Sequence, residues 1–228
     1  MCGRYTLRAT PAQLAEIFET LRTAEVRPRF NVLPGTTSLV VRNTPDAPEA
    51  ATPKWGFVPR FAKDPKKGYK PVNARAETVA TSPMFRLSFR DRRCLIVCDG
   101  FYEPEEDEKD KKTGEWYYFR YEDDRPFCFA GLWDRCGEGD AALETFVLIT
   151  TEPNDLTAAI GHKRSPVIVP PERYDLWLDP KASPAQLKAL FPPYSPEDMV
   201  FYLTNGRAKS PKAEGPDLIE PAGPVRRA

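Results

Sequence analysis

The most chemically distinctive residue is Cys2, which directly follows the initiator Met1. Because a small second residue permits removal of the initiator methionine, Cys2 is expected to become the chain terminus, with a free α-amine beside its thiol. The reference pKa values of these groups are about 7.7–8.0 and about 8.5, so both can act as nucleophiles near neutral pH. An amine alone forms a reversible imine with an aldehyde, whereas an aminothiol closes a thiazolidine ring that is far harder to reverse. The position of Cys2 therefore predicts aldehyde capture; the alternative is a small structural residue.

Two further residues suit proton transfer. His162 is the one histidine of the sequence, and an imidazole, with an unperturbed pKa of about 6.5, both gives and takes protons near neutral pH. Glu103 follows a short apolar stretch, and burial increases the basicity of a carboxylate. Both residues also have plainer interpretations. A single histidine is often structural, and Glu103 precedes five more acids up to Asp110, as in a solvated loop.

Six short motifs occur in order along the first three quarters of the chain. They are MCGRY at 1–5, NARAET at 73–78, DGFYE at 99–103, FAGLW at 129–133, ITT at 149–151 and HKRSPVI at 162–168. Each motif alone is weakly specific, whereas the ordered set is highly specific. With this set the chain resembles the SOS response-associated peptidase family, the abasic-site processing proteins.

The resemblance implies roles for four residues. Cys2 matches the family's covalent nucleophile, and Asn73, which alone would fit a turn, matches an asparagine that forms hydrogen bonds at the active site. Glu103 matches the acid that handles protons on the amine and the sugar, and His162 matches the histidine that assists ring opening. The implied substrate is the ring-opened abasic site of single-stranded DNA, crosslinked or cut by β-elimination during the DNA damage response. No cofactor and no metal are implied.

The expected DNA contacts combine positive charge with flat surfaces. Lys+Arg and Asp+Glu both number 33, so attraction for phosphate must come from a local patch. Basic side chains supply salt-dependent phosphate contacts, and aromatic or apolar side chains stack on bases. The residues predicted to contact DNA are Arg4, Arg75, Lys163, Arg164, Pro34 and Trp55. Arg4 is also expected to lower the pKa of the Cys2 thiol, and Trp55 alternatively fits a core strand.

The chain departs from the family pattern close to the predicted site. The family usually has Trp directly after DGFYE, and here Pro104 stands in its place, which removes a stacking surface. The acidic stretch from 105 to 110 follows, and it would repel phosphate unless it folds away. Ser165 replaces the family's usual Met in the histidine motif.

The surrounding elements are mainly short strands. Segments rich in β-branched and aromatic residues predict strands at 38–42, 54–58, 95–98, 116–121, 127–132, 145–150, 167–169 and 199–203. Capping residues predict a helix over 11–22 after Thr10, a short helix after Asn154 and a helix from Ser183 to residue 190. The order of elements predicts a single α+β domain over 1–205, with a mostly antiparallel, barrel-like sheet core and a few peripheral helices. Residues 206–228, rich in Pro, Gly, Lys and Arg, predict a flexible tail.

Composition also bears on the cellular setting. The sequence has no apolar run of about 18 residues, the length that predicts a membrane span. Its five cysteines are odd in number, and no secretory leader is evident, so we expect reduced thiols in a cytoplasmic protein, associated with the nucleoid if bacterial. Cys94 and Cys98 lack the usual spacing and a second histidine for zinc, and core packing is the simpler interpretation. Nothing indicates an obligate partner, so we expect a monomer.

Two other functions fit parts of the same pattern. Cys2 with His162 and a nearby acid or amide resembles the nucleophile–base set of a cysteine peptidase, and in this family that activity removes residues ahead of the cysteine. Only Met1 precedes Cys2 here. A non-catalytic module that binds single-stranded DNA is the remaining alternative, and it predicts no dependence on Cys2.

Overall fold

The structure, a computed structural model, describes residues 2–22, 26–44 and 47–227. In this part of the chain the strands are β1 (Tyr5–Leu7), β2 (Arg29–Val32), β3 (Val40–Arg42), β4 (Glu49–Ala51), β5 (Lys54–Trp55), β6 (Asn73–Arg75), β7 (Arg93–Cys98), β8 (Gly100–Glu106), β9 (Lys112–Tyr121), β10 (Phe127–Cys136), β11 (Leu143–Thr151), β12 (Ser165–Pro166), β13 (Ile168–Val169), β14 (Met199–Leu203) and β15 (Arg226–Arg227). The α-helices are α1 (Pro11–Ile17), α2 (Arg86–Asp91), α3 (Asp155–Ala158), α4 (Tyr174–Leu178) and α5 (Pro184–Lys188). Short 3-10 turns lie at Glu19–Leu21, Gly139–Ala141, Pro171–Arg173, Gly206–Lys209 and Pro216–Ile219.

The strands form two sheets. The first runs in the order β15, β14, β9, β8, β1 and β2, with antiparallel neighbours throughout. The second runs β12, β11, β10, β7, β3 and β4, while β5 and β6 pair in parallel with β11, and β13 pairs with β10. The predicted α+β class with mostly antiparallel strands is confirmed, although both sheets are open and neither closes into a barrel.

Strand β8 separates two apolar clusters. Successive side chains of a strand point to opposite faces, so Phe101 faces the main core and Tyr102 faces a smaller second cluster. Phe101 stacks on its cross-strand partner Phe119 with ring centroids 4.9 Å apart. Glu103 lies two residues after Phe101 and is therefore also directed inward, where it is only 1% exposed. The alternation of β8 thus carries an acid into the interior, and the solvated-loop interpretation of Glu103 is wrong.

The predicted helix caps are present, but the helices are shorter than expected. Thr10 forms a capping box with Gln13 at the start of α1, and Asn154 and Ser183 cap α3 and α5. Helix α1 ends at Ile17 because Phe18 adopts an extended conformation, and its ring stacks on Tyr174 at 5.7 Å. Tertiary packing therefore overrides the helical pattern predicted up to residue 22. Within the described residues, no helix is both long and apolar enough to cross a membrane.

The segment from 206 to 227 packs on the outer face of the first sheet. Ala208 and Leu218, which are 2% and 1% exposed, join Tyr102, Tyr118 and Tyr202 in the second cluster. The Tyr202 hydroxyl donates a hydrogen bond of 2.7 Å to the carbonyl of residue 219. This arrangement differs from the expectation of a flexible tail. That expectation rested on Pro, Gly and charged residues, whereas a few apolar side chains among them supply the contacts.

We expect the Leu218→Ala substitution to lower the free energy of unfolding by about 2 to 5 kcal/mol, because it removes a buried side chain and leaves a cavity. Val225→Ala is the matched control in the same segment, since Val225 is 45% exposed. Chemical denaturation of both variants measures the difference. Equal stability of the two variants would show that the segment does not pack as described.

Candidate active site

The centre of the candidate site is a buried contact between a carboxylate and an imidazole. The Glu103 Oε2 atom lies 2.9 Å from the His162 Nε2 atom, and the two side chains are 1% and 2% exposed. A buried charge is costly unless it is paired. The contact therefore supplies each of these groups with a partner in an otherwise apolar interior.

The loop that carries His162 depends on the glycine before it. Gly161 has a φ of +72°, in the left-handed region, and a Cβ atom there would lie 2.1 Å from the Glu106 carbonyl oxygen. Any other residue would be strained and would also clash with β8. The His162 amide donates to the Thr157 carbonyl at 3.1 Å, which ties the loop to the end of α3. This close approach of loop and strand places His162 beside Glu103.

Cys2 lies against the same carboxylate. Strand β1 pairs with β8 through Tyr5 and Phe101, which brings the preceding residues alongside Glu103. Cys2 is 1% exposed, and its Sγ atom is 3.9 Å from the Arg4 carbonyl oxygen. Burial first, and then the negative charge of Glu103, raise the pKa of the Cys2 thiol well above its ordinary value. Met1 lies outside the described residues, so its expected removal stays a prediction.

Asn73 holds the backbone of Cys2. It begins β6, which runs parallel to β11 with Asn73 opposite Leu148. Its Nδ2 atom donates a 2.9 Å hydrogen bond to the Cys2 carbonyl oxygen. Its Oδ1 atom is buried and has no hydrogen-bond partner among the described residues. Buried polar atoms are nearly always hydrogen-bonded, so this oxygen is suited to accept a hydrogen bond from a bound ligand.

The four residues predicted to carry the chemistry are therefore brought together. Asn73 contacts the Cys2 backbone, the Glu103 charge acts on the Cys2 thiol, and Glu103 contacts His162. They come from the chain start, two sheets and one loop. Their adjacency is a product of the fold, since they span 160 positions of the sequence.

Arg4 does not occupy the predicted position. Its guanidinium group donates to the carbonyls of Ala208 and Lys209 and lies 4.5 Å from the centre of the Trp116 ring. It is 8% exposed. It therefore ties the chain start to the final segment. The expected net lowering of the thiol pKa by the Arg4 charge is wrong, because burial and Glu103 outweigh the lowering that comes from the hydrogen bond to the Arg4 backbone.

Of the remaining residues predicted to contact DNA, two are exposed, one is buried and two form ion pairs with acidic side chains. Arg75 and Pro34 are exposed, and Arg75 lies two residues after Asn73 on β6. Arg164 pairs with Glu77 at 2.5 Å and donates to the Thr150 carbonyl, and Lys163 pairs with Asp110 at 2.5 Å. The hydrogen bond from Arg164 lowers the pKa of Glu77. Arg75 and Pro34 are thus better placed for DNA than Lys163 and Arg164.

Trp55 is a core residue. It is 1% exposed, donates its indole N–H to the Val72 carbonyl at 2.8 Å, and stacks on Phe146 with centroids 5.9 Å apart. The core-strand alternative is therefore the one that the structure supports, and Trp55 presents no face on which a base could stack.

Sequence reasoning missed one acid beside the site. The Glu106 Oε1 atom lies 3.5 Å from the His162 Nδ1 atom. Simple alternation along β8 would place Glu105, not Glu106, on the face of Glu103. The register between β8 and β9 shifts between Pro104 and Glu106, and such a bulge redirects the side chains beyond it. Runs of acidic residues carry no sequence signal for a bulge.

Comparisons with known proteins place the chain in a family. The model of the family described as SOS response associated peptidase (SRAP) matches residues 1–209, and the chain belongs to this family. It is 38% identical over 226 residues to the protein named abasic site processing protein YoqW of Bacillus subtilis (strain 168), covering 96% of this chain and 99% of that one. It is 30% identical over 184 residues to the protein named abasic site processing protein YedK of Escherichia coli (strain K12), covering 78% and 79%. A solved protein structure from Bacteroides thetaiotaomicron matches with a TM-score of 0.80 and 26% identity, covering 97% and 100%.

We expect the Glu103→Gln substitution to increase the rate at which iodoacetamide alkylates Cys2 at a fixed pH below the thiol pKa. The negative charge of Glu103 raises that pKa, so its removal lowers the pKa and increases the thiolate fraction. Mass spectrometry of the labelled Cys2 peptide measures the rate. Glu105→Gln is the control, and an unchanged or slower rate in Glu103→Gln contradicts the described contact.

Proposed function

We propose that the protein is an abasic-site processing protein that captures the ring-opened abasic sugar of single-stranded DNA in a covalent thiazolidine link through Cys2. The observation that carries the proposal is the convergence of Cys2 and Asn73 with the buried Glu103–His162 pair. The names of the curated relatives support the abasic site as substrate. The balanced net charge indicates a local DNA contact rather than a general affinity for polyanions.

The chemistry begins at the α-amine that removal of Met1 would free on Cys2. The amine attacks the aldehyde carbon of the open sugar, and loss of one water leaves an imine. The Cys2 sulfur then bonds to the imine carbon, and the imine nitrogen takes up a proton. The product is a five-membered ring that contains both nucleophiles, and the net change is the release of one water.

Glu103 and His162 handle the protons of this sequence. The raised pKa keeps Cys2 as a thiol in the closed site, so sulfur addition needs a base next to it. Glu103 is that base, and it also delivers a proton to the oxygen that leaves as water. The imidazole of His162 lies at Glu103 Oε2 and gives this carboxyl group a polar partner inside the protein. General acid–base catalysis of this kind contributes about 10²- to 10⁴-fold in rate.

Asn73 positions the nucleophile and the substrate. Its bond to the Cys2 carbonyl fixes the residue that carries both reacting groups. Its free Oδ1 atom is available to accept a hydrogen bond from a sugar hydroxyl or from the Cys2 amine. Arg75 lies two residues along β6 and is exposed, which supports it as the candidate for binding the flanking phosphate.

The geometry supports crosslinking over general peptidase chemistry. A cysteine peptidase needs a histidine hydrogen-bonded to the thiol, whereas the His162 Nε2 atom faces Glu103 and the Cys2 Sγ atom lies near the Arg4 carbonyl. The proposed chemistry itself requires that Met1 be removed. The same imine intermediate acidifies the neighbouring carbon, so strand cleavage by β-elimination is a side reaction of the proposed mechanism.

We expect the wild-type protein to form an adduct that survives heat and denaturant with a single-stranded oligonucleotide carrying one abasic site, and none with the intact strand. Cys2→Ser removes the sulfur and is expected to abolish the stable adduct. Cys136→Ser, at another buried cysteine, is expected to retain it. Denaturing gel electrophoresis is the measurement. A heat-stable adduct formed by Cys2→Ser would contradict the proposal. Equal non-covalent binding of the abasic and intact strands, without any adduct, would favour a non-catalytic binding module.

A further inference from the structure

The acidic end of the β8–β9 hairpin is docked on the loop that carries His162. The Glu106 amide donates to the Ile160 carbonyl at 3.0 Å. Gly161 fits only because it has no side chain to meet the Glu106 carbonyl. Asp110, near the hairpin tip, pairs with Lys163 at 2.5 Å. The acidic stretch, which would repel phosphate unless it folds away, is thus folded against the loop of His162.

A row of three side chains results from this docking. Glu103 lies 2.9 Å from Nε2 of His162, and Glu106 lies 3.5 Å from Nδ1 on the opposite side of the ring. The exposed fractions of the three side chains are 1% for Glu103, 2% for His162 and 17% for Glu106. Glu106 is therefore the member of the row that reaches solvent. Two neighbouring cations are already paired, Lys163 with Asp110 and Arg164 with Glu77.

We propose that Glu106 is a positioning residue that holds the Nδ1 side of His162 and connects the buried Glu103–His162 pair to solvent. The inference rests on the proposed crosslinking function and adds to it a residue outside the matched motifs. Each of the two ring nitrogens lies beside one carboxylate, Nε2 beside Glu103 and Nδ1 beside Glu106. Glu106 thus fixes the ring orientation in which Nε2 is directed at Glu103.

The row also gives the thiol proton a route out of the closed site. The proton leaves the Cys2 sulfur for a Glu103 oxygen, which breaks the S–H bond and forms an O–H bond. Glu103 passes this proton to Nε2 of the ring as Nδ1 releases its own proton to Glu106, and Glu106 passes that proton to water, so the charge of the ring is unchanged. When sulfur has added to the imine carbon, the nitrogen recovers a proton by the reverse route. No oxidant, reductant or other reactant is needed.

Glu105 provides a matched control for Glu106. It is the adjacent residue with the same charge, and its carboxylate accepts a hydrogen bond of 2.8 Å from the Thr113 hydroxyl on the neighbouring strand. Removing either acid removes one negative charge from the same hairpin. A general effect of that charge on DNA binding therefore appears in both the Glu105 and the Glu106 variants. An effect that acts through His162 appears only in the Glu106 variants.

The test compares single-turnover crosslinking rates at saturating abasic DNA for the wild type, Glu106→Gln, Glu105→Gln and Glu106→Asp. We expect Glu106→Gln to be slower by about tenfold, by analogy with metal-bound histidines, for which loss of the orienting partner costs about 10- to 100-fold. We expect Glu105→Gln to match the wild type, and Glu106→Asp to recover most of the rate because it restores the carboxylate. The pH dependence of the rate is expected to change in Glu106→Gln alone.

The outcomes separate this inference from the function on which it rests. Wild-type rates in Glu106→Gln, or equal losses in the Glu105 and Glu106 variants, overturn the positioning role while the Cys2-dependent adduct stands. Absence of any adduct with the wild type overturns the proposed function itself. Melting curves of each variant exclude unfolding as the cause of a lower rate, and a slow Glu106→Asp variant of normal stability also contradicts the inference.

Discussion

The contact between Glu103 and His162 is the interaction on which the rest of the site depends. Two ionisable side chains are removed from water here, and a buried polar group that loses its partner destabilises the fold. The pair persists only if the strand and the loop that carry it approach closely. Gly161 permits that approach, and the stacked pair Phe101 and Phe119 fixes the direction of β8.

The same arrangement determines how the nucleophile behaves. Cys2 is buried beside a carboxylate, and burial first and then the charge of Glu103 raise the pKa of its thiol, which favours the protonated sulfur. In the proposed reaction, activation requires a substrate that brings an electrophilic carbon to the amine and allows the carboxylate to take a proton. On that proposal, the burial that protects the thiol and the selectivity of the reaction have one physical origin.

Much of this could be predicted from the sequence, for identifiable reasons. The caps at Thr10, Asn154 and Ser183 depend on local hydrogen bonds, and local rules found them. The long-range contacts were harder to predict from the sequence. Arg4 has the positive charge expected of a residue that binds DNA. Its guanidinium group instead donates to backbone carbonyls about 200 residues further along the chain. The sequence does not distinguish Glu106 from the other acids around it, and only the bulge in β8 directs it to His162. Trp55 fits both a stacking platform and a core strand, and only its burial decides between them.

The intact mass of the purified protein–DNA adduct tests the central claim most directly. A thiazolidine at the chain terminus predicts one species, whose mass equals the chain without Met1 plus the abasic oligonucleotide minus one water. It also predicts that Cys2 in the adduct resists alkylation after denaturation, because its sulfur is part of the ring. An adduct that retains Met1, or one in which the Cys2 thiol is still free, would contradict the account.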